Sequence, residues 1–411
     1  MPLTRTVCMI GHPAAGHIHP TLPVIAELVR AGERVLYWAT EPFRARIEAT
    51  GAEFRSLGEQ EWFERGLANG GTHAGMLGGM DGLYTTTKEI LGPLAAQVRA
   101  ERPDFLLVEA HAVWGNLLQQ MLGVPAVTLC SMFALNDRLI SPLALLGHLY
   151  GGATTRGAFE GMIGLSRYFE TARRLDARHG TRSPGILGYL GNPQPRNIVF
   201  TSREFQVGRE AFDSRYLFVG PTAEAAPSAP FDHLPPGDAP LVYISMGTMY
   251  NNEPALYRAC MDAFPPDRWR AVLSVGRRIG PPSLPPAPAH FAVHAEVPQM
   301  AVLRQAALFV THGGINSAHE AMLAGVPMIL LPCAADHFVV ASQVATTGAG
   351  IVLNRSEATA ERLASLAAHV MSDPRYRTRS REMGASLRAA GGASRAAAEI
   401  LACVQQAAVS E

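Results

Sequence analysis

The chain of 411 residues is too long for one compact core and suits two domains of roughly 150 to 200 residues each. Its 48% apolar and 17% charged residues describe an ordinary globular protein, and 35 basic against 35 acidic residues, with no basic run, argue against nucleic acid as a partner. Lys88 is the only lysine and lacks the glycine loop of a phosphate-binding lysine, which argues against Schiff-base enzymes, P-loop ATPases and protein kinases.

Five cysteines (Cys8, Cys130, Cys260, Cys333, Cys403) are scattered without a CxxC pair. They read as buried small hydrophobes rather than a disulfide framework or a zinc site. His12, Pro13 and Gly16 interrupt the first apolar stretch before a signal-peptide core could form, and no 18-residue apolar run follows. The expected compartment is the cytoplasm, with no membrane span.

In chain order, the first elements are a strand at Thr6–Ile10, a glycine-bounded loop from Gly11 to Gly16, and a helix from about His19 to Ala31. Pro20 would occupy the first helical turn and Gly32 the stop, and the strand "RVLYWAT" completes a βαβ unit. A helix follows at "EPFRARIEATG", then a glycine-rich stretch from Gly66 to Gly82 that reads as a mobile loop. The strands "DFLLVEA" and "PAVTLC" flank the helix-like "VWGNLLQQMLG", and the alternation predicts a parallel sheet covered on both faces. From Phe218 to Leu241, prolines, alanines and small polar residues mark an interdomain linker. Beyond it the alternation restarts with "LVYISMG", "EPALYRACMDAF", "RAVLSVG", "FAVHAEV", "PQMAVLRQ", "ALFVTH", "NSAHEAMLAG" and "PMILLP". The fold class is α/β, with two Rossmann-like parallel-sheet domains. The expected division is 1–222, a linker at 223–238, a second domain at 239–388, and C-terminal helices at 389–411.

"ALFVTHGGINSAHEAMLAGVPMILLP" packs strand, two-glycine turn, helix and strand closely. The turn at Gly313 and Gly314 allows close backbone approach, and a helix opening at about Ile315 offers N–H groups and about half a positive charge to a phosphate. Asn316 and Glu320 lie four apart on one helix face, so Glu320 could take ribose hydroxyls beside a phosphate held near Asn316 and Ser317. The alternative is that Asn316 caps the helix and Glu320 is solvated.

Thr311 to Glu320 ("THGGINSAHE"), the following "GVP", "LP" and Asp336-His337, together with "VYISMGT", "VPQMAVLRQAALFVTHGG" and "GHIHP", resemble the GT-B nucleotide-sugar glycosyltransferases. The likeness spans the chain in the expected order. It is strongest to the bacterial macrolide and antibiotic branch that shares ancestry with plant and animal UDP-glycosyltransferases of GT family 1. It implies two domains facing each other across a cleft, an N-terminal one for acceptor and base and a C-terminal one for the nucleotide sugar. On the matching positions, it implies that His312 binds the β-phosphate and that Gly314, Asn316 and Ser317 hold the α-phosphate. Glu320 would take the ribose, Thr248 would reach the pyrophosphate, and Asp336 would bond the transferred sugar. His337 stands where relatives often have Gln. Glu296 stands where many relatives place an aromatic ring, leaving the Val297 backbone as the base contact. UDP and TDP both stay open.

Three histidines crowd "GHPAAGHIHP": His12, His17 and His19. Two residues apart on a helix, His17 and His19 point in different directions, so they cannot share one ligand. The GHxxP pattern selects His17 as the family's general base, and a side chain with an unperturbed pKa of about 6.5 suits that task. His12 and His19 read as structural. The base needs its other ring nitrogen fixed by a carboxylate. The family's Asp at the end of its "PDLV"-like strand is replaced in "RPDFLLVEAHAVWG" by Glu109, one methylene longer, while Asp104 precedes the strand and is rejected. His111 reads as an acceptor-pocket or satisfied polar residue.

No metal is expected: no DxD pair occurs, and the helix dipole and His312 are available to offset pyrophosphate charge. A metal-hydrolase reading of His17 and His19 is disfavoured by Pro20. Apolar loops at Trp62 to Tyr84 and Met132 to Leu175 suit a lipophilic hydroxylated acceptor such as a polyketide, macrolide or flavonoid, or form domain core. The reading is an inverting hexosyltransferase using UDP- or TDP-sugar without a resident cofactor, acting as monomer or homodimer. Its rivals are a nucleotide-sugar epimerase or hydrolase on the same fold, and a non-catalytic nucleotide-sugar-binding partner.

Overall fold

A computed structural model describes residues 4–58, 75–136, 155–183, 191–222, 231–247, 253–276, 286–333 and 335–409. The chain divides into two compact units, one formed by 1–224 with 390–411 and the other by 225–389.

The first unit holds β1 (Thr6–Ile10), β2 (Arg34–Ala39), β3 (Glu53–Ser56), β4 (Phe105–Glu109), β5 (Ala126–Cys130), β6 (Arg196–Val199) and β7 (Tyr216–Phe218), ordered β3-β2-β1-β4-β5-β6-β7. Every described pairing is parallel. The central strands are buried on both faces, so "VCMI", "LLV" and "AVTLC" read as near-continuous apolar runs. One face packs Leu36, Trp38, Leu106, Val108 and Trp114, and the other packs Val7, Met9, Leu107 and Val127. The C-terminal helix Gly392–Val409 places Ala396, Ala397, Ile400 and Val404 in the second of these cores.

Two expectations are corrected here. Helix α1 covers Ala15–Arg30, four residues earlier than expected, so Pro20 and Pro23 lie inside it. Each proline deletes one helical N–H bond, but Ile18, Thr21, Val24, Ile25 and Leu28 bury a continuous stripe that holds the helix together. Thr21 Oγ1 adds a bond to the Ile18 carbonyl at 2.7 Å. The glycine-rich stretch is helical rather than a loop from Gly75 onward, in a helix that runs Gly75–Ala100, while 59–74 lie outside the described residues. Its later turns bury Leu91, Leu94, Ala95 and Val98 at helical spacing, which outweighs the roughly 1 kcal/mol per glycine lost upstream. Strand β3 was not legible at all, being four residues with one fully apolar position.

The second unit holds β8 (Leu241–Ser245), β9 (Arg270–Ser274), β10 (Phe291–His294), β11 (Ala306–Thr311), β12 (Met328–Leu330) and β13 (Gly350–Val352), ordered β10-β9-β8-β11-β12-β13 and parallel throughout. Helices at Pro254–Ala263, Gln299–Leu303, Ile315–Ala324, Ala335–Thr347 and Ala360–Ser372 follow its strands. No described helix is long and apolar enough to cross a membrane.

Candidate active site

In an open parallel sheet, ligands bind beyond the carboxyl ends of the strands, where the strand order reverses direction. In the first unit that point lies between β1 and β4, and it is where His17 and Glu109 stand. His17 is the third residue of α1, two peptide units beyond the β1 turn, and Glu109 is the last residue of β4.

The structure brings the two together: His17 Nδ1 lies 2.8 Å from Glu109 Oε1. A carboxylate can only accept, so Nδ1 carries the proton and Nε2 is left with its lone pair. Glu109 is fully buried. Burial pushes its carboxyl up, but the charge of His17 and the bonds from His111 and His17 outweigh that and hold it well below the usual carboxylate range. Its other oxygen, Oε2, accepts from the His111 backbone N–H at 2.7 Å. Asp104, by contrast, accepts from the Thr6 backbone N–H at 2.7 Å, at the amino ends of the strands.

Ser131, which sequence reasoning missed, completes the cluster. Its hydroxyl lies 2.7 Å from Glu109 Oε1 and 2.9 Å from His17 Nδ1. It follows β5 directly, at the same end of the sheet as Glu109. His12 is buried against the rings of His17, at 4.5 Å between centroids, and Trp114, at 6.1 Å, and burial holds it well below the ordinary imidazole range. His19 points elsewhere, bonding Arg46 and packing against Phe43.

His17, Glu109 and His111 also offer three ligand atoms within 4.8 Å of one another. The His17–Glu109 contact, at 2.8 Å, is a hydrogen-bond length, shorter than the roughly 3.3 Å separating two ligands of one tetrahedral zinc. The geometry therefore favours a shared proton between these two side chains.

The second unit reverses its strand order between β8 and β11, and the two-glycine turn follows β11 there. His312 sits between two glycines. A Cβ on Gly247, whose φ is +75°, or on Gly314 would come within 2.6 Å of the imidazole, so neither position accepts a larger residue without moving it. Burial pushes His312 down to about 3, with His337 as a second cause. Burial thus favours the neutral ring, which can donate to a phosphate.

The helix Ile315–Ala324 begins after Gly314, whose cap position carries no side-chain bond. Asn316 and Ser317 therefore lie in the first turn, and the capping alternative for Asn316 is overturned. Glu320 is not a solvated residue either: Gln299 Nε2 donates to its Oε2 at 2.7 Å, and burial pushes its carboxyl up. Gln299, also missed from sequence, accepts from the Tyr243 hydroxyl at 3.0 Å and reaches Ser317 Oγ at 3.3 Å. It lies two residues after Val297, so it ties that loop to the Glu320 face of the helix. Glu296 is exposed and Val297 half-buried.

Asp336, in the first turn of Ala335–Thr347, is half-exposed, whereas His337 is buried edge-on against His312 with centroids 4.6 Å apart. His337 Nδ1 contacts Cys333 Sγ at 3.4 Å. Cys333 and Cys403 are only half-buried, unlike Cys8, Cys130 and Cys260. Thr248 lies outside the described residues, as do 62–74 and 137–154 of the two expected acceptor loops, while 75–84 and 155–175 are helical rather than loop, within the helices Gly75–Ala100 and Thr155–His179.

The buried imidazoles of His312 and His319 make the fold sensitive to acid. Burial holds both His312 and His319 near 3, against about 6.5 when unfolded. Between those values the unfolded chain binds the extra protons, so stability rises with pH there and falls as pH drops below 6.5, by up to about 1.4 kcal/mol per pH unit for each group. The melting midpoint is expected to fall steadily from pH 7 to pH 5; a flat or rising midpoint would contradict the buried neutral assignment.

Residues 280–402 match the family described as erythromycin biosynthesis protein CIII-like, C-terminal domain. The uncharacterized UDP-glucosyltransferase YojK of Bacillus subtilis is 33% identical over 405 residues, covering 97% of this chain and 98% of that protein. Demethyllactenocin mycarosyltransferase of Streptomyces fradiae is 31% identical over 406 residues, covering 95% and 86%. The crystal structure of the kitacinnamycin glycosyltransferase superposes with a TM-score of 0.81 at 27% identity, covering 98% of this chain and 100% of that one. The chain belongs to the antibiotic-type branch of the family 1 glycosyltransferases and has their GT-B fold.

Proposed function

We propose that the protein transfers a hexose from a UDP- or TDP-sugar to a hydroxyl of a lipophilic natural product, with inversion at the anomeric carbon and no metal. The observation that carries the reading is the His17–Glu109 pair, 2.8 Å apart and at the strand-order reversal of the first unit. Glu109 holds Nδ1–H, so Nε2 takes the acceptor's proton while the acceptor oxygen attacks the anomeric carbon from the face opposite the departing diphosphate. Single displacement from that side inverts the centre.

In the second unit, the amides of Ile315 to Ser317 and the helix dipole receive the diphosphate, with His312 as a neutral donor. Gly313 and Gly314 let the phosphates approach the backbone. Glu320, fixed by Gln299, takes the ribose hydroxyls, the Val297 backbone meets the base, Thr248 reaches the pyrophosphate, and Asp336 bonds the sugar with His337 packed beside it. No resident cofactor takes part. The protein works in the cytoplasm as a monomer or homodimer.

Incubating UDP- and TDP-hexoses with a panel of hydroxylated polyketides, macrolides and flavonoids, read by mass spectrometry, is expected to give acceptor masses increased by one hexose. Donor consumed in the absence of acceptor would instead indicate an epimerase or hydrolase. Glu320→Ala is expected to weaken binding of the nucleoside diphosphate by about 1–3 kcal/mol, because a hydrogen bond to a charged, partly buried group is lost. Calorimetric titration checks this, and unchanged affinity would remove Glu320 from the ribose site.

A further inference from the structure

We infer that Ser131 is a positioning residue that holds the Glu109 carboxylate in the orientation in which it fixes the base. The inference rests on the reading of His17 as general base and extends it.

Glu109 has one more rotatable bond than aspartate, and a carboxylate free to turn about it would hold His17 in several orientations. Two contacts remove that freedom. The His111 backbone N–H fixes Oε2 at 2.7 Å, and the Ser131 hydroxyl fixes Oε1 at 2.7 Å. With Nδ1 of His17 protonated, the only acceptor left for the Ser131 proton within this triangle is Oε1, since its 2.9 Å contact with Nδ1 meets a donor. Oε1 thus accepts two bonds, one from the base and one from the residue that holds the carboxylate. Ser131 is only 1% exposed, so water does not substitute for it readily.

Ser131 is not a nucleophile of a Ser-His-Glu triad. That chemistry needs serine on one ring nitrogen and the carboxylate on the other, whereas here both meet Nδ1. The serine lies behind the base, away from Nε2.

Removing the hydroxyl loosens Glu109 and leaves its charge less shared, which favours protonated His17. Ser131→Ala is therefore expected to lower kcat by about 10- to 100-fold, the usual scale for losing a partner that orients a functional side chain. KM for the donor stays within about threefold, and the acid limb of the kcat/KM–pH profile moves to higher pH. Ser131→Cys, similar in size but a poor donor, is expected to behave like Ser131→Ala. Glu109→Asp is expected to be impaired rather than restored, since the shorter side chain gives up the Ser131 and His111 contacts.

The experiment measures pH profiles for these variants and for His17→Ala side by side, with nucleoside diphosphate titration as the control for folding. A Ser131→Ala enzyme with wild-type kcat and an unmoved profile overturns the inference. So does a rise in donor KM with the profile unmoved, which would make Ser131 a sugar contact. If His17→Ala keeps its turnover, the base reading itself falls. If His17→Ala is inactive while both serine variants are normal, only the role of Ser131 falls.

Discussion

His17→Ala is expected to abolish glycosyl transfer while leaving nucleoside diphosphate affinity within a few-fold. A general base contributes typically about 10²- to 10⁴-fold, and among the described residues the imidazole that Glu109 holds at hydrogen-bond distance is that of His17, at 2.8 Å, while His111 Nδ1 stands 3.8 Å from the same oxygen. His12 is buried against Trp114, and His19 is engaged by Arg46, so neither stands in for it. The proposed diphosphate site draws on β8, β11 and the helix Ile315–Ala324, all in the second unit, which is why binding is expected to survive. Single-turnover assays with saturating donor check the rate and calorimetry the affinity. A variant with normal turnover would remove His17 from the mechanism.

Glu109→Gln is expected to cost nearly as much as losing the base itself. The amide preserves size but presents one donor and one acceptor where the carboxylate presents two acceptors. The His111 N–H demands the acceptor at Oε2, which turns the amide N–H₂ toward His17 Nδ1 and Ser131. His17 then binds as an acceptor through Nδ1 and carries its proton on Nε2, where the lone pair is needed. The expected loss in kcat is on the order of 10²- to 10⁴-fold, with the fold retained because volume and most packing are unchanged. Because the Glu109 carboxyl is held well below its usual range, it stays ionised through the working pH range, so the acid limb of the wild-type profile does not come from this group. A Gln variant within tenfold of wild type would show that the carboxylate does not set the tautomer.

What could be read from sequence followed from physical locality. Strand, turn and helix lie adjacent in "ALFVTHGGINSAHEAM" and "TVCMIGHPAAGHIHP", so local patterning placed His312, Glu320 and His17 at the carboxyl ends of strands. Glu109 was accessible through the resemblance, which implies a carboxylate at the end of the strand in "RPDFLLVEA". Ser131 and Gln299 were not, since each acts through partners distant along the chain: Ser131 is 114 residues from His17, and Gln299 is 21 from Glu320. A lone polar residue after a strand carries no periodicity, and the only hint was its place directly after β5. Proline misled at Pro20 because tertiary burial of the α1 stripe overrode its preference for a first turn. The low pKa of His312 comes first from burial and second from the charge of His337, which no local pattern encodes.

The most direct test of the account is a crystal structure with a non-hydrolysable UDP- or TDP-hexose and an accepted hydroxylated product scaffold. It is expected to place the diphosphate on the amides of Ile315 to Ser317 and the acceptor oxygen about 3 Å from His17 Nε2, with Nδ1 still on Glu109. A diphosphate bound elsewhere, or an acceptor oxygen served by a different side chain, would contradict it.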